Sequence, residues 1–590
     1  MAFVSPANMA AQEPEDLHEK LGSGDYTDGK HPLDVYEPQH GIAPDGHKPT
    51  LSEYQYYARI KREAEVGGYS GNGADSSGVN VARPSLFQTL TGKAGIVHET
   101  PDQSIVEKMH QAHHEETVGM SELEIEKLNG RRMLRVATWS TVFYLITTDI
   151  LGPFNAPYAI AGLGLVPGVI LYFFFGIIAG VTGVMLSFLY NRLDSDRYPI
   201  RTYSDIAERV AGTPMRHFCS ILQSIQLVVN VGIICLSSGQ SLYQVSKGKL
   251  CASVCVVIWA LAGMIVGQIR SLRNFGIIGS ASVYINLLII FMSMGVVAHT
   301  LPNYVVANAI DNTLGDGPVI VKAFNSGNLI SQVNGMFNMV FAYGGAMIFP
   351  EMMAEMRRPM DFYKGMALAQ LLIFVVYLMY GIFWYCFQGQ YTQANSFQGL
   401  SPYAWQTACN VLNMITGMIA AALYGNIGIK IVYINIIEDM FKGPVITSRK
   451  GRWIWTFLVP TYWAIAFVVG SSVPALGAMT GLIGAVCIFQ FTYTFPPLLY
   501  FLYEVQVDAA VDDVPFTGLG STPRQIDTWR QASRWKRGLF SGRWYVKIFM
   551  FGVFLASCAC AGLGMWGTGE SVKSVFEVGQ ATSFGCLANA

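Results

Sequence analysis

From about residue 138 to residue 566 the chain is a succession of apolar runs separated by short polar segments, whereas the first 135 residues show little apolar periodicity. Each run is roughly 20 residues long, the length a helix needs to cross the hydrocarbon core of a bilayer. The runs fall at 138–164, 166–190, 217–244, 251–269, 275–299, 328–356, 364–388, 408–437, 453–472, 475–503 and 544–566. The pattern predicts an all-α polytopic membrane protein with eleven transmembrane helices over residues 136–566. The first and sixth runs are interrupted by Gly and Pro at corresponding places, DILGPFNAPY at 149–158 and YGGAMIFPE at 343–351. Backbone released from a helix inside a bilayer must line a cavity or bind something, because each unsatisfied N–H or C=O costs several kcal/mol. The broken spans open two successive groups of five, and five is odd, so the second group enters from the opposite side. This predicts an inverted repeat, 138–299 and 328–503, with the span at 544–566 added, an arrangement typical of secondary transporters.

Composition agrees with that class. Of 590 residues 52% are hydrophobic and 13% charged, against about 25% charged in soluble domains. The net charge of −1 offers nothing to a nucleic acid. With the N-terminus in the cytosol, the inner loops hold twenty-one Lys and Arg, from Arg192 to Lys547, and the outer segments hold four, Lys247, Lys249, Lys322 and Lys573. Basic residues gather on the cytoplasmic side, so the N-terminus is expected inside and residues 567–590 form a short external tail. The N-terminal residues lack the basic and apolar regions of a secretory signal.

Residues 1–135 read as a cytosolic, largely disordered tail, rich in Gly, Ser, Asp and His (GGYSGNGADSSG). Eight of the ten histidines lie there, His110, His113 and His114 among them, and are read as solvated rather than metal-binding. Ser104 to Leu128 is a candidate amphipathic helix for regulatory docking on the inner face. The ten cysteines are scattered from 219 to 586 without two-pair metal spacing and are read as small apolar residues.

At the first break, Gly152, Pro153 and Pro157 oppose continuous helix. The half-helix resuming near Ala156 would present free N–H groups and a positive dipole end to a carboxylate, with Phe154, Asn155 and Ala156 as donors. At the second, carbonyls near Ala342 and Tyr343, beside Gly344 and Gly345, suit an ammonium group, with Phe337, Phe341 and Tyr343 as aromatic walls and Ile348 in the lining. Carboxylate donors facing ammonium acceptors describe a free amino acid, and no opposite charge is placed to receive a cationic side chain, so a neutral one is expected. Gln226 and Asn230 share one face of the third span and either enter the cavity or bond another helix. The ionisable residues inside spans are Asp149, Glu351 and Lys430, with His299 at an outer end. Asp149, at the mouth of the first break, and Glu351 are the candidates for proton coupling. Glu351 or Glu355 could instead pair with Arg192 or Arg270 as an inner gate, and Lys430 could snorkel. Sodium is disfavoured because Gly417 to Ile446 contains no Ser or Thr.

DILGPFNAPYAIAGLGLVPG, FAYGGAMIFPEMMAEMRRP and LIGAVCIFQFTYTFPPLLY, in order and spacing over 131–566, resemble the amino acid/auxin permease family, particularly fungal neutral amino acid permeases. The chain departs from the common pattern at Pro153, Asn155 and Pro157. The resemblance implies a leucine-transporter-like fold, proton-driven uptake of neutral amino acids, a substrate held between broken spans one and six, and a carboxylic coupling residue at Asp149. The expected function is therefore symport of a neutral amino acid with a proton, at the plasma membrane, without a cofactor. A vacuolar exporter and an amino acid sensor with little flux are the alternatives. No ring of charge recurs as a channel would need, and no nucleophile–base pair or phosphate loop suggests an enzyme.

Overall fold

The computed structural model describes residues 49–70, 135, 137–150, 152–269, 273–310, 314–433, 437, 441, 443–444, 449–473, 475–518, 521, 523–577 and 584–586. Among them there is no strand, only three isolated bridges, Ala137 with Met356, Pro302 with Leu400 and Val514 with Arg524. The helices are α1 (Leu51–Ser70), α2 (Trp139–Ile150), α3 (Ala156–Leu163), α4 (Leu165–Leu193), α5 (Tyr203–Ala211), α6 (Thr213–Val245), α7 (Ala252–Val266), α8 (Arg273–Val297) and α9 (Tyr304–Ile310). They continue as α10 (Leu329–Ala342), α11 (Phe349–Glu355), α12 (Phe362–Gln388), α13 (Tyr403–Val432), α14 (Arg449–Ser472), α15 (Leu476–Ile483), α16 (Phe495–Ala509), α17 (Ala532–Phe540) and α18 (Trp544–Glu577). Seven continuous helical stretches are long and apolar enough to cross a bilayer, and α7 and the Ala281–Val297 part of α8 are shorter apolar helices. This is a nearly all-helical polytopic membrane protein.

Both predicted interruptions are present. α2 ends at Ile150 and a 3-10 turn over Pro153–Asn155 leads into α3. α10 ends at Ala342 and a 3-10 turn over Gly344–Ile348 leads into α11. α3 and α10 lie against each other where two glycines meet, since a Cβ on Gly335 would come within 2.9 Å of the Ala159 carbonyl oxygen and 3.4 Å of Gly162 Cα. Such close backbone approach is how helices associate where lipid is as apolar as their side chains. The segment leading into α10 is joined to the end of α3 as well, Leu165 N–H to the Lys322 carbonyl at 3.0 Å and Asn325 N–H to the Leu163 carbonyl at 3.0 Å.

α6 is central. Most of its apolar stretch is buried, whereas that of α18, on the rim, is mostly exposed. A Cβ on Gly232 of α6 would come within 2.7 Å of the Ala466 carbonyl, so α6 and α14 cross at their backbones. Between α15 and α16 the chain is π-helical over Gly484–Ile488 and Gln490–Thr494, immediately before Pro496 and Pro497. Neither proline can donate to a preceding carbonyl, which favours a widened helix on their N-terminal side.

Two expectations change. Residues 51–70, inside the stretch expected to lack structure, form α1, whose buried face is Tyr54, Tyr57, Ala58, Lys61 and Arg62. The spacing is helical but the face is aromatic and basic rather than aliphatic, so apolar periodicity does not reveal it. The candidate helix at 104–128 and its histidines lie outside the described residues. Last, Cys251 and Cys586 are not isolated apolar residues; they form a disulfide with Cα atoms 4.3 Å apart. They are 335 positions apart, so no local spacing announces the pair.

Candidate functional site

The second interruption packs against α6, and the first meets the sixth span through Asn155. Gln223, Gln226 and Asn230 occupy one face of α6 and are all buried. Gln223 Nε2 donates to the Met347 carbonyl at 3.1 Å and to Glu351 Oε1 at 2.9 Å, tying α6 to the unwound part of the sixth span. One turn above, Gln226 is fully buried with neither amide atom bonded, and Asn230 Oδ1 is likewise without a donor. Buried amides left unbonded are uncommon and call for a ligand or water. Gln226 and Asn230 thus leave unpaired polar atoms on the buried face of α6.

On the other side, Gly152 stands before the 3-10 turn with open space where a Cβ would project. The first N–H groups of a helix have no intrahelical acceptor, which makes Phe154 and Asn155 donors by position. Ala156 differs, for its N–H bonds back to the Pro153 carbonyl. The Asn155 side chain is engaged too: Nδ2 donates to Asn338 Oδ1 at 2.6 Å, and Thr480 Oγ1 shares that acceptor. One polar junction thus joins the first, sixth and tenth spans, and leaves Asn155 Oδ1 buried and unbonded.

The aromatic walls are only partly where the sequence suggests. Tyr343 is buried and turned toward α4 and α12, where its hydroxyl donates to the Tyr172 carbonyl at 3.1 Å and its ring stacks on Tyr377. Phe337 faces α18 and the π-helical segment, since a Cβ on Gly564 would overlap its ring and Phe489 lies 5.4 Å away. Phe154 packs edge-on to Phe397 at 4.9 Å and Tyr380 at 5.9 Å. These rings hold the broken segments from behind. Phe341 is the wall residue left half-buried, and Gly344 sits under the Ile488 side chain at Cβ-contact distance of 3.0 Å.

Glu351 lies below the second break. Besides Gln223, its Oε1 accepts the Tyr203 N–H at 3.4 Å, while Oε2 is buried with no partner. Of the two arginines considered for an inner gate, Arg192 lies over the Phe188 ring at 5.3 Å, and Arg270 is outside the described residues. Lys430 is half-buried in the last turn of α13. His299 is exposed at its helix end. α2 runs through Asp149, whose side chain lies outside the described residues. Residues missed in the sequence are Gln223, one turn before Gln226, and the junction of Asn338 with Thr480; polar residues at helical spacing inside apolar runs were the available signal.

Residues 135–510 match the family model described as transmembrane amino acid transporter protein. A Gibberella moniliformis protein named transmembrane transporter is 22% identical over 372 residues, covering 62% of this chain and 75% of the relative. A Fusarium pseudograminearum protein of the same name matches with the same values. The N amino acid transport system protein of Neurospora crassa is 22% identical over 395 residues, covering 65% of this chain and 80% of its own. With a family model spanning more than half of the chain, laid over two interrupted spans that meet at a buried polar face, this protein belongs to the transmembrane amino acid transporter family and is a membrane transporter rather than an enzyme.

Proposed function

We propose that this chain carries a neutral amino acid across the membrane together with a proton, by alternating access around the two interrupted spans. The observation that carries the reading is the fully buried Gln226 amide, unbonded at both ends, on the α6 face that Gln223 ties to the second break. The substrate carboxylate would take the N–H groups following Gly152, at Phe154 and Asn155, with Ala156 completing the turn. The ammonium group would take carbonyls around Ala342 and Tyr343 beside Gly344. Gln226, Asn230 and Phe341 would meet the side chain. A carboxylate oxygen buried without a donor is expensive to keep ionised, so Glu351 suits reversible proton binding, and Asp149 at the first break is the second coupling group. The absence of Ser and Thr from Gly417 to Ile446 favours a proton over sodium. The Neurospora relative's name supports an amino acid as cargo.

The topology we propose is eleven crossings in two inverted groups of five plus α18, with the N-terminus cytosolic and the C-terminus external. The bias of basic residues supports it, and so does the Cys251–Cys586 disulfide, which lies on the side that the bias assigns to the outside, where disulfides persist. The plasma membrane is the proposed location. Uptake of a panel of labelled amino acids, at acid and neutral pH and with and without sodium, tests the whole reading. Acid-stimulated, sodium-independent uptake of leucine or phenylalanine is expected; uptake of arginine alone overturns the side-chain assignment. Binding without counterflow in proteoliposomes would make the protein a sensor, and a fluorescent fusion on the vacuole would make it an organellar carrier.

A further inference from the structure

α1 is bound to the end of the molecule that carries the inner loops, and it touches several elements at once. Tyr54 packs edge-on to Tyr198 at 5.1 Å, with the Arg209 guanidinium of α5 over its ring at 4.7 Å. Tyr57, 1% exposed, lies against Tyr198, Phe516 and the Arg197 guanidinium. Gln55 Nε2 donates to the Tyr503 hydroxyl of α16 at 2.8 Å, and the Tyr198 hydroxyl donates to Glu53. One turn on, Lys61 Nζ reaches Asp194 at 2.7 Å and Asp196 at 3.0 Å, and Arg62 reaches Asp194 at 2.8 Å. The opposite face of α1 is solvent-facing, Arg59 and Glu63 being 67% and 72% exposed.

The same two aspartates also hold Arg135, at 3.8 Å and 3.6 Å. Arg135 leads into α2, the inner half of the first broken span. Two residues later, Ala137 N–H donates to the Glu355 carbonyl at 3.1 Å and its own carbonyl accepts from the Arg357 N–H at 2.9 Å. The inner ends of both broken spans are therefore joined to each other, and through Arg135 to the aspartates that α1 holds. The loop after α4, α5, the inner end of α16 and the lead into α2 are all fastened by one helix.

We propose that α1 is an intramolecular brace that slows the transport cycle by holding these inner elements together, and that its release speeds turnover. The rate consequence rests on the transport reading above; the restraint itself does not. Alternating access requires inner elements to move relative to one another, and a brace across several of them must be broken or strained in each cycle whichever state it fits best. Its contacts are polar and aromatic and one of its faces is free, which allows an undocked α1 to remain soluble. Mean hydropathy would not drive it into the bilayer instead, because the buried face carries two cations.

The test is the double charge reversal Lys61→Glu/Arg62→Glu in the full chain, with Lys61→Arg/Arg62→Lys as the charge-preserving control. Hydrogen–deuterium exchange of the purified protein is read over 51–62 and 137–150, and amino acid counterflow is read per transporter in proteoliposomes. We expect faster exchange in both segments and a several-fold rise in counterflow for the reversal, with control values like the parent. Faster exchange over 51–62 with 137–150 unchanged would overturn the brace, as would a fall in counterflow at equal protein, which a merely supporting helix predicts. If the reversal does not reach the membrane, Tyr57→Ala is read in the same two ways. Should the parent move no amino acid, the transport reading fails at the counterflow arm while exchange still decides the restraint.

Discussion

Gln223 on α6 donates to the carboxylate of Glu351 at 2.9 Å while also holding the Met347 carbonyl in the unwound segment. A change of charge at Glu351 must alter how that amide is shared, so the protonation of one residue is mechanically linked to the backbone of the proposed site. Glu351→Gln is expected to keep exchange down a gradient but lose acid-stimulated accumulation. Gln223→Leu removes the donor from a buried acceptor, at about 1–3 kcal/mol, and should shift the pH dependence of uptake without abolishing membrane insertion. If Glu351→Gln accumulates substrate normally and Asp149→Asn does not, the proton belongs to Asp149.

Gly152 can be tested without disturbing the fold, because a Cβ there meets no heavy atom within 4 Å. Gly152→Val would place methyl groups in front of the N–H donors. Substrate affinity should fall by about tenfold or more, the worth of one charge-assisted hydrogen bond, with surface expression near normal. Retained affinity, or equal binding of the decarboxylated amine, would move the carboxylate elsewhere.

The tail bearing Cys586 is held against the start of α7 by more than sulfur. Ala252 N–H donates to the Cys586 carbonyl at 3.1 Å, and Ser253 Oγ to the Gly585 carbonyl at 2.7 Å. Cys251→Ser and Cys586→Ser should therefore destabilise the solubilised protein equally, by about 2–4 kcal/mol as cross-links of this kind do. In intact cells, an impermeant reductant followed by an impermeant maleimide should label both positions. Labelling only after permeabilisation would reverse the proposed orientation.

Docking of α1 should be insensitive to physiological pH. Burial by itself would raise the Asp194 carboxyl, but Lys61, Arg135 and Arg62 outweigh it and hold it down to about 2. A carboxyl held below its ordinary value of about 4 stabilises the fold above that value, and the contribution is lost only as pH falls through about 2. Exchange protection over 51–62 should be the same at pH 7.5 and pH 5, corrected for the intrinsic rate. Removing the charge is another matter: Asp194→Ala takes one of two carboxylate partners from each of Lys61, Arg62 and Arg135, which keep Asp196 or Glu65, and leaves the Ile200 N–H without its acceptor, which is expected to cost about 1–3 kcal/mol, read as a lower thermal midpoint.

The class of protein and the position of both interruptions were legible in the chain, because bilayer crossing imposes a length and an apolarity that any reader can measure, and because Gly152, Pro153, Gly344 and Gly345 oppose a continuous helix wherever they are placed. Side-chain direction was not. Tyr343 and Phe337 sit beside the second break in sequence, yet Tyr343 turns to Tyr172 and Phe337 to α18, since the direction a ring takes depends on which neighbouring helix leaves room for it. Gly176 and Gly564, far away in the chain, make that room. The pairing of Cys251 with Cys586 and the docking of α1 have the same character. Each joins residues more than a hundred positions apart, and α1 is bound by Tyr, Lys and Arg rather than by an apolar stripe. Local sequence determines where a helix must start, break and stop; which of its faces finds a partner is settled only when the other helices are in place.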